Sequence, residues 1–416
     1  MIRRPVLLAG LALAAVNSIH AIDDVLDRVE TALTFSAPDG RIRARVSGLV
    51  DLEGYRVQLP APGVINTTDG SLLEPRLTVF LDAQLGPRAY IFAQARADHG
   101  FDPGEGAAEV RLDEFALRLA PWGRDGVALQ IGRFATIVGN WATRHDSWAS
   151  SFITAPLPYE YLTGVWDTEP IRTSNVLLQW SHLRPGLPAR VTAIEKSLRI
   201  PIVWGPSYAD GVMVTDAIGK FRYAFEAKLG SLSSRPEAWR HGREQRHHPT
   251  FSGHLAYRPN PAWQFGVSAS GGSYLREFAS RTVPAGYGRG DYRQLVLAGD
   301  AAYAWRHWQL WAEVYATRFE IPLVGNADTL AYYAEAKYKF TPQFFSAVRW
   351  NQQRFATIAD RGGRTPWGHD VWRIDLAPGY RFTPHTQLKL QYSLQRGDSG
   401  QRDTTRTLAT QLTVRF

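Results

Sequence analysis

The chain ends on a run that admits few folds. From Thr405 it reads T-R-T-L-A-T-Q-L-T-V-R-F, with Leu408, Thr410, Leu412, Val414 and Phe416 on one side. Thr407, Ala409, Gln411, Thr413 and Arg415 fall on the other. A period of two marks a β-strand with one apolar and one wet face. The rhythm recurs through most of the chain. Ile42, Ala44, Val46, Val50 and Leu52 alternate with Arg43, Arg45, Ser47 and Asp51. Phe221, Tyr223, Phe225 and Ala227 oppose Lys220, Arg222, Glu226 and Lys228, and Leu388, Leu390, Tyr392 and Leu394 oppose Lys389, Gln391, Ser393 and Gln395.

Composition narrows what these strands build. Aromatics make up 12 % of the 416 residues, and mean hydropathy is only −0.25. Past the N-terminus no stretch approaches the ~18 consecutive apolar residues of a spanning helix. A transmembrane barrel gives this average, because lipid-facing and lumen-facing residues alternate and cancel. Cys is absent, which removes thiolate metal sites and disulfides. The formal charge is +8. Its Arg residues are spread singly along alternating strands, which argues against a nucleic-acid patch.

Residues 1–21 read as an export signal: Arg3 and Arg4, the apolar run Val6 to Val16, then Ile19-His20-Ala21 as a cleavage site. Residues 22–40 form an N-terminal segment expected in the periplasm. Within it, Ile22 to Leu33 carries apolar residues at helical spacing.

From residue 41 to 416 a single barrel is expected. Short turns stand at Gly86-Pro87, Trp122 to Gly126, Arg184 to Pro188, Asp216 to Gly219, Pro259 to Pro261, Arg306-His307, Thr341-Pro342 and Thr383-Pro384. Between them lie longer Gly-, Pro- and charge-rich segments at 55–74, 99–108, 137–170, 199–208, 231–248, 276–290, 320–327, 356–368 and 397–403. Short periplasmic turns and long extracellular loops in alternation fit an antiparallel transmembrane β-barrel. The segments between give about eighteen strands, or sixteen if 189–198 and 209–216 are not strands. Trp122, Trp180, Trp204, Trp263, Trp305, Trp308, Phe340, Phe344, Tyr380 and Phe382 collect near strand ends, as an interfacial girdle does.

If the apolar faces meet lipid, the charged faces line the lumen. The inverse would cost about 2–4 kcal/mol for each Arg or Lys near the midplane. Arg45, Arg76, Arg96, Arg118, Arg222, Arg258, Lys337, Arg349, Arg373 and Lys389 are the candidate pore-lining bases. Asp51, Asp82, Asp98, Glu114, Glu226, Glu313, Glu335 and Asp375 share that face. The surplus is basic, so a mild anion preference is expected; cross-strand pairing of these charges would weaken it. A barrel this wide needs narrowing. The longest connection, 137–170, holds Trp141, Arg144, His145, Asp146 and Trp148 and is apolar enough to fold inward as a constriction. No phosphate loop, dinucleotide fingerprint or nucleophile elbow occurs, so no enzyme is expected, and no cofactor or metal.

Two strand-turn-strand phrases, Y-K-F-T-P-Q-F-F-S-A-V-R-W (338–350) and Y-R-F-T-P-H-T-Q-L-K-L-Q-Y (380–392), accompany Q-I-G-R-F (130–134) and the terminal Q-L-T-V-R-F. The mature chain thereby resembles Gram-negative outer-membrane porins, and these phrases look like those of the phosphate-selective porin O and P superfamily. Members of that superfamily use arginines along the pore wall together with lysines. Here Arg349 and Arg373 would act so, while 137–170 contains no Lys. The resemblance implies a passive diffusion channel in the outer membrane. Its expected partners are lipid and small hydrophilic or anionic solutes, with a homotrimer as one assembly open to it and no nucleic acid. A polysaccharide-exporting or sugar-binding barrel is the alternative, with Trp141 and Trp148 stacking sugars.

Overall fold

In this computed structural model, the structure describes residues 22–67, 69–99, 108–123, 126–179, 196–235, 248–397 and 404–416. The expected export signal 1–21 lies outside them, as do Trp180 and the turn expected at 184–188.

Alternation becomes strand along most of the chain. The strands are β1 (Thr34–Ser36), β2 (Ile42–Val57), β3 (Ser71–Leu85), β4 (Ala89–Asp98), β5 (Glu109–Leu119), β6 (Ala128–Phe134), β7 (Ala209–Ile218), β8 (Phe221–Lys228), β9 (Thr250–Asn260), β10 (Trp263–Ser273), β11 (Arg293–Trp305), β12 (Trp308–Ile321), β13 (Gly325–Lys339), β14 (Phe344–Phe355), β15 (Thr357–Asp360), β16 (Gly363–Pro366), β17 (Val371–Arg381), β18 (Thr386–Arg396) and β19 (Thr405–Arg415). Seventeen belong to one sheet; β15 and β16 form a separate hairpin. Sixteen of the seventeen pair antiparallel in sequence order, and β19 returns to β2 with Leu412 opposite Leu52. That pairing closes the ring, so no open edge is left to meet lipid. The seventeenth, β1, adds to β2 with Thr34 opposite Arg45.

Termini meet at the seam. The Phe416 N–H donates to the Gly48 carbonyl at 3.1 Å, and Gly48 N–H returns the bond at 2.9 Å. A Cβ on Gly48 would run into the Phe416 ring, so glycine lets the terminal aromatic lie flat on the neighbouring strand. Residues 22–32 are helical. Glu30 there accepts a bond from Arg45 at 2.7 Å, and Asp27 meets His385 Nε2 at 2.9 Å.

Burial is inverted relative to a water-soluble sheet. On β19, Leu408 is 55 % exposed while Gln411 and Thr413 are buried. Leu52, Leu77, Val212, Phe251, Val267, Leu297, Val348 and Leu376 are likewise exposed on the outer face. Trp122, Trp263, Trp305, Trp308, Phe340, Phe344, Tyr380 and Phe382 are exposed near the short turns, with contacts such as Tyr338–Phe340 at 4.8 Å and Tyr380–Phe382 at 5.0 Å between ring centroids. Trp204 departs from the girdle expectation. It is 2 % exposed and packs with Leu162 and Tyr208 in the long connection.

Sixteen strands close the barrel, the lower of the two expected counts and not eighteen. The strand expected at 209–216 is present as β7. The one expected at 171–183 is absent over its described part, where Ser174–Gln179 forms a helix. Residues 196–198, the described end of the strand expected at 189–198, are helical too. Leu177 and Leu178 are both buried. Two adjacent buried leucines beside exposed Asn175 and Gln179 fit one packed face of a helix, not a wall strand that alternates between a dry and a wet face. The connection expected at 320–327 is tighter than foreseen, since β12 runs to Ile321 and β13 begins at Gly325.

Candidate pore and constriction

The connection from β6 to β7 carries the candidate constriction. It leaves β6 and packs against inward side chains of β12, β13, β14, β17 and β18. At its start, Glu313 of β12 accepts backbone N–H bonds from Asn140 at 2.5 Å and Trp141 at 2.7 Å. Tyr159 and Tyr315 hydroxyls donate to the same carboxylate at 2.7 and 2.9 Å. Gly139, with φ of +76°, is required here, because a Cβ would strike the Tyr315 hydroxyl. One strand over, Arg144 bonds Glu335 at 3.0 Å and the Tyr333 hydroxyl at 3.1 Å, with its guanidinium 4.4 Å from the Trp311 ring centroid.

Farther along, polar wall residues hold the backbone. Lys389 Nζ donates to the carbonyls of Ser147 (2.7 Å) and Ser150 (3.1 Å). Gln391 Oε1 accepts from Ile153 N–H at 2.6 Å and Thr154 N–H at 3.1 Å. Arg349 donates to the Thr154 and Ala155 carbonyls, and Arg373 pairs with Glu160. Asp375 sits between both arginines, 2.8 Å from Arg349 Nε and 3.0 Å from Arg373 Nε. These groups are almost fully buried. Removing one partner of such a network leaves an uncompensated charge, at about 3–5 kcal/mol.

The ten wall residues expected from sequence all lie on inward-facing register positions, but their environments differ. Arg76 is engaged by Asp51 and Glu53. Arg96 lies 3.8 Å from Asp98 and 3.7 Å from Asp113. Arg118 donates to Gln130 at 2.9 Å. Arg222 and Arg258 are exposed near the short turns, and Arg45 bonds Glu30. Lys337 is buried with its ammonium 4.2 Å from the Phe345 ring centroid. Arg349, Arg373 and Lys389 belong to the network above.

Two cavities lie beside the packed connection. The larger, of about 920 Å³, opens over β3–β10 and is bordered by Asp82, Glu114, Arg118, Lys220, Arg222 and Arg258. The smaller, of about 160 Å³, is bordered by Asp51, Glu53, Glu74, Arg76, Arg96 and Glu160. Phe80, Gln94, His145 and Asp146 border both, so the two spaces meet at these four side chains. His145 is fixed there by the Tyr208 hydroxyl at 2.9 Å and the Ala142 carbonyl at 2.7 Å. Burial, aided by the nearby Arg96, lowers its pKa to about 4, so the imidazole is neutral at pH 7. Asp146 caps the backbone N–H groups of Trp148 and Ala149. The Trp148 ring lies between Arg381 and Arg415, 4.9 and 4.4 Å from its centroid.

Two clusters invite other chemistry. His254, Ser268 and Asp300 stand on β9, β10 and β11. Ser268 Oγ and Asp300 Oδ2 both approach His254 Nδ1, at 2.8 and 3.9 Å. A hydrolytic relay uses opposite ring nitrogens for nucleophile and carboxylate, so this trio is not arranged as one. Asp27, Glu30 and His385 offer ligand atoms within 4.8 Å of one another, but Arg45 already occupies Glu30.

Sequence missed Tyr159, Tyr315 and Tyr333 as anchors, and gave Glu313 and Glu335 only as wall acids. Pairs such as Arg144–Glu335, 191 residues apart, leave no local signal.

The barrel is similar to solved outer-membrane channels. Salmonella typhi OmpF in complex with daunomycin aligns with a TM-score of 0.57 and 13 % identity over 92 % of this chain and 100 % of that one. The DcaP channel of Acinetobacter baumannii gives 0.56 and 10 % identity over 92 % and 99 %. The anion-selective porin from Comamonas acidovorans gives 0.54 and 12 % over 90 % and 100 %. No protein-family model matches the chain, and no curated protein does. At these identities the likeness establishes the fold, that of the outer-membrane porins. It does not extend to the phosphate-selective superfamily that the sequence phrases suggested.

Proposed function

We propose that the protein is an outer-membrane porin for passive diffusion of small hydrophilic solutes, with a mild preference for anions. One observation carries this reading: a lipid-compatible outer face encloses a polar lumen that holds a cavity of about 920 Å³. Connection 137–170 acts as the constriction, and Phe80, Gln94, His145 and Asp146 set the size limit. Arg349, Arg373 and Lys389 hold that connection in place instead of ligating solute.

Anion preference rests on the end of the lumen near the short turns. There Arg118, Arg222, Arg258, Lys337, Lys339, Arg381 and Arg415 lie on inward positions, with Asp82 and Glu114 against them. Unscreened basic groups along a pore wall raise the local concentration of anions. The segment 22–40 belongs at the periplasmic mouth, following a cleaved signal at 1–21, and a homotrimer is one assembly open to the barrel. Proteoliposome swelling tests the reading. Vesicles carrying the protein should admit small sugars and amino acids and exclude large oligosaccharides. Swelling no faster than in protein-free vesicles would refute it.

A further inference from the structure

On the outer face, at the end remote from the short turns, four strands carry an exposed arginine: Arg354 on β14, Arg396 on β18, Arg406 on β19 and Arg56 on β2. Register places them side by side around the seam. Arg354 is opposite Leu330, Arg396 opposite Trp372, Arg406 opposite Leu394, and Arg56 opposite Leu408. Trp372, on the intervening β17, stacks on Trp350 at 5.5 Å. Each arginine thus shares its face with the apolar side chains below it, not with the wet lumen.

Among the described residues none of the four side chains has a hydrogen bond or ion pair. Arg318, on the same rim, is different: Asp328 neutralises it at 2.7 Å. The height also fits a boundary. Arg396 stands ten residues above Thr386, whose carbonyl bonds Phe382 N–H in the aromatic band. Ten residues at about 3.3 Å, tilted by about 40°, rise about 25 Å, close to the height of the apolar band of an outer-membrane barrel.

An unpaired guanidinium at that height faces lipid headgroups, and its planar fork matches phosphate oxygens. We infer that Arg56, Arg354, Arg396 and Arg406 form a docking surface for phosphate groups of an anionic lipid in the leaflet around the long loops. This rests on the barrel's outer face meeting lipid. Trp350 and Trp372 support the acyl–headgroup boundary beside it.

The test follows heat unfolding of the full barrel in neutral detergent doped with lipid A, dephosphorylated lipid A, or inorganic phosphate. Lipid A should raise the midpoint, the dephosphorylated lipid should do so far less, and inorganic phosphate should not. Arg396→Gln with Arg406→Gln should weaken the apparent lipid A affinity at least tenfold, while the Lys pair keeps part of it. An equal shift from dephosphorylated lipid, or an unchanged shift in the Gln pair, would overturn the inference. So would a shift reproduced by inorganic phosphate alone. Channel conductance of the Gln pair, measured in parallel, should match the parent; lost conductance would count against the porin reading instead.

Discussion

Glu313 on the barrel wall accepts the backbone N–H of Trp141 at 2.7 Å, and this contact fixes where the long connection turns into the lumen. Because Asn140, Tyr159 and Tyr315 donate to the same carboxylate, one side chain satisfies four donors, three of them buried. Replacing it with alanine leaves the Asn140 and Trp141 N–H groups unpaired at about 1–3 kcal/mol each, while the Tyr159 and Tyr315 hydroxyls, 2.5 Å apart, can still bond one another. Glu313→Ala should therefore free the connection and raise single-channel conductance. The sixteen-stranded barrel should persist by circular dichroism and heat-modifiable migration.

Asp375 plays the same part for charge. It compensates both Arg349 and Arg373, so Asp375→Ala leaves two guanidiniums buried without it. The expected cost is about 3–5 kcal/mol, read as a lowered unfolding midpoint. A double variant with Arg349→Met should recover part of that loss.

His145 makes stability depend on pH in a set direction. In the unfolded chain its imidazole titrates near 6.5, and in the fold near 4. Between those values the unfolded state binds a proton that the folded state does not. This contribution is fully present above 6.5 and is lost as pH falls toward 4, amounting to about 3 kcal/mol for the full interval. Unfolding midpoints between pH 8 and pH 4.5 should fall with acidity, and His145→Gln should flatten that part of the slope.

Charge at the mouth should be adjustable without disturbing the fold. Arg222 and Arg258 are exposed and border the larger cavity. Converting both to Glu should move the reversal potential in a salt gradient toward cations with little change in unfolding midpoint. High ionic strength should shrink the difference, because exposed charges are screened within about 10 Å at 0.1 M salt.

The wall was readable from sequence because each strand has one dry and one wet face, so Leu408 and Gln411 announce their sides without help from distant residues. The interior was not. Ser174–Gln179 packs Leu177 and Leu178 inward on the long connection while Asn175 and Gln179 stay exposed, and its apolar run Val176-Leu177-Leu178 reads locally like strand. Trp204 failed for the same reason, an aromatic near a strand end that turned inward. Which wall charges are neutralised was also hidden. Arg373 meets Glu160 from 213 positions away, a proximity set by barrel closure and not by local pattern.

A planar-bilayer recording with chloride concentrated on one side tests the central claim most directly. A polar lumen with a basic mouth predicts steady ohmic steps and a reversal potential displaced in the anion direction. Silence at every voltage, or a displacement in the cation direction, would contradict it.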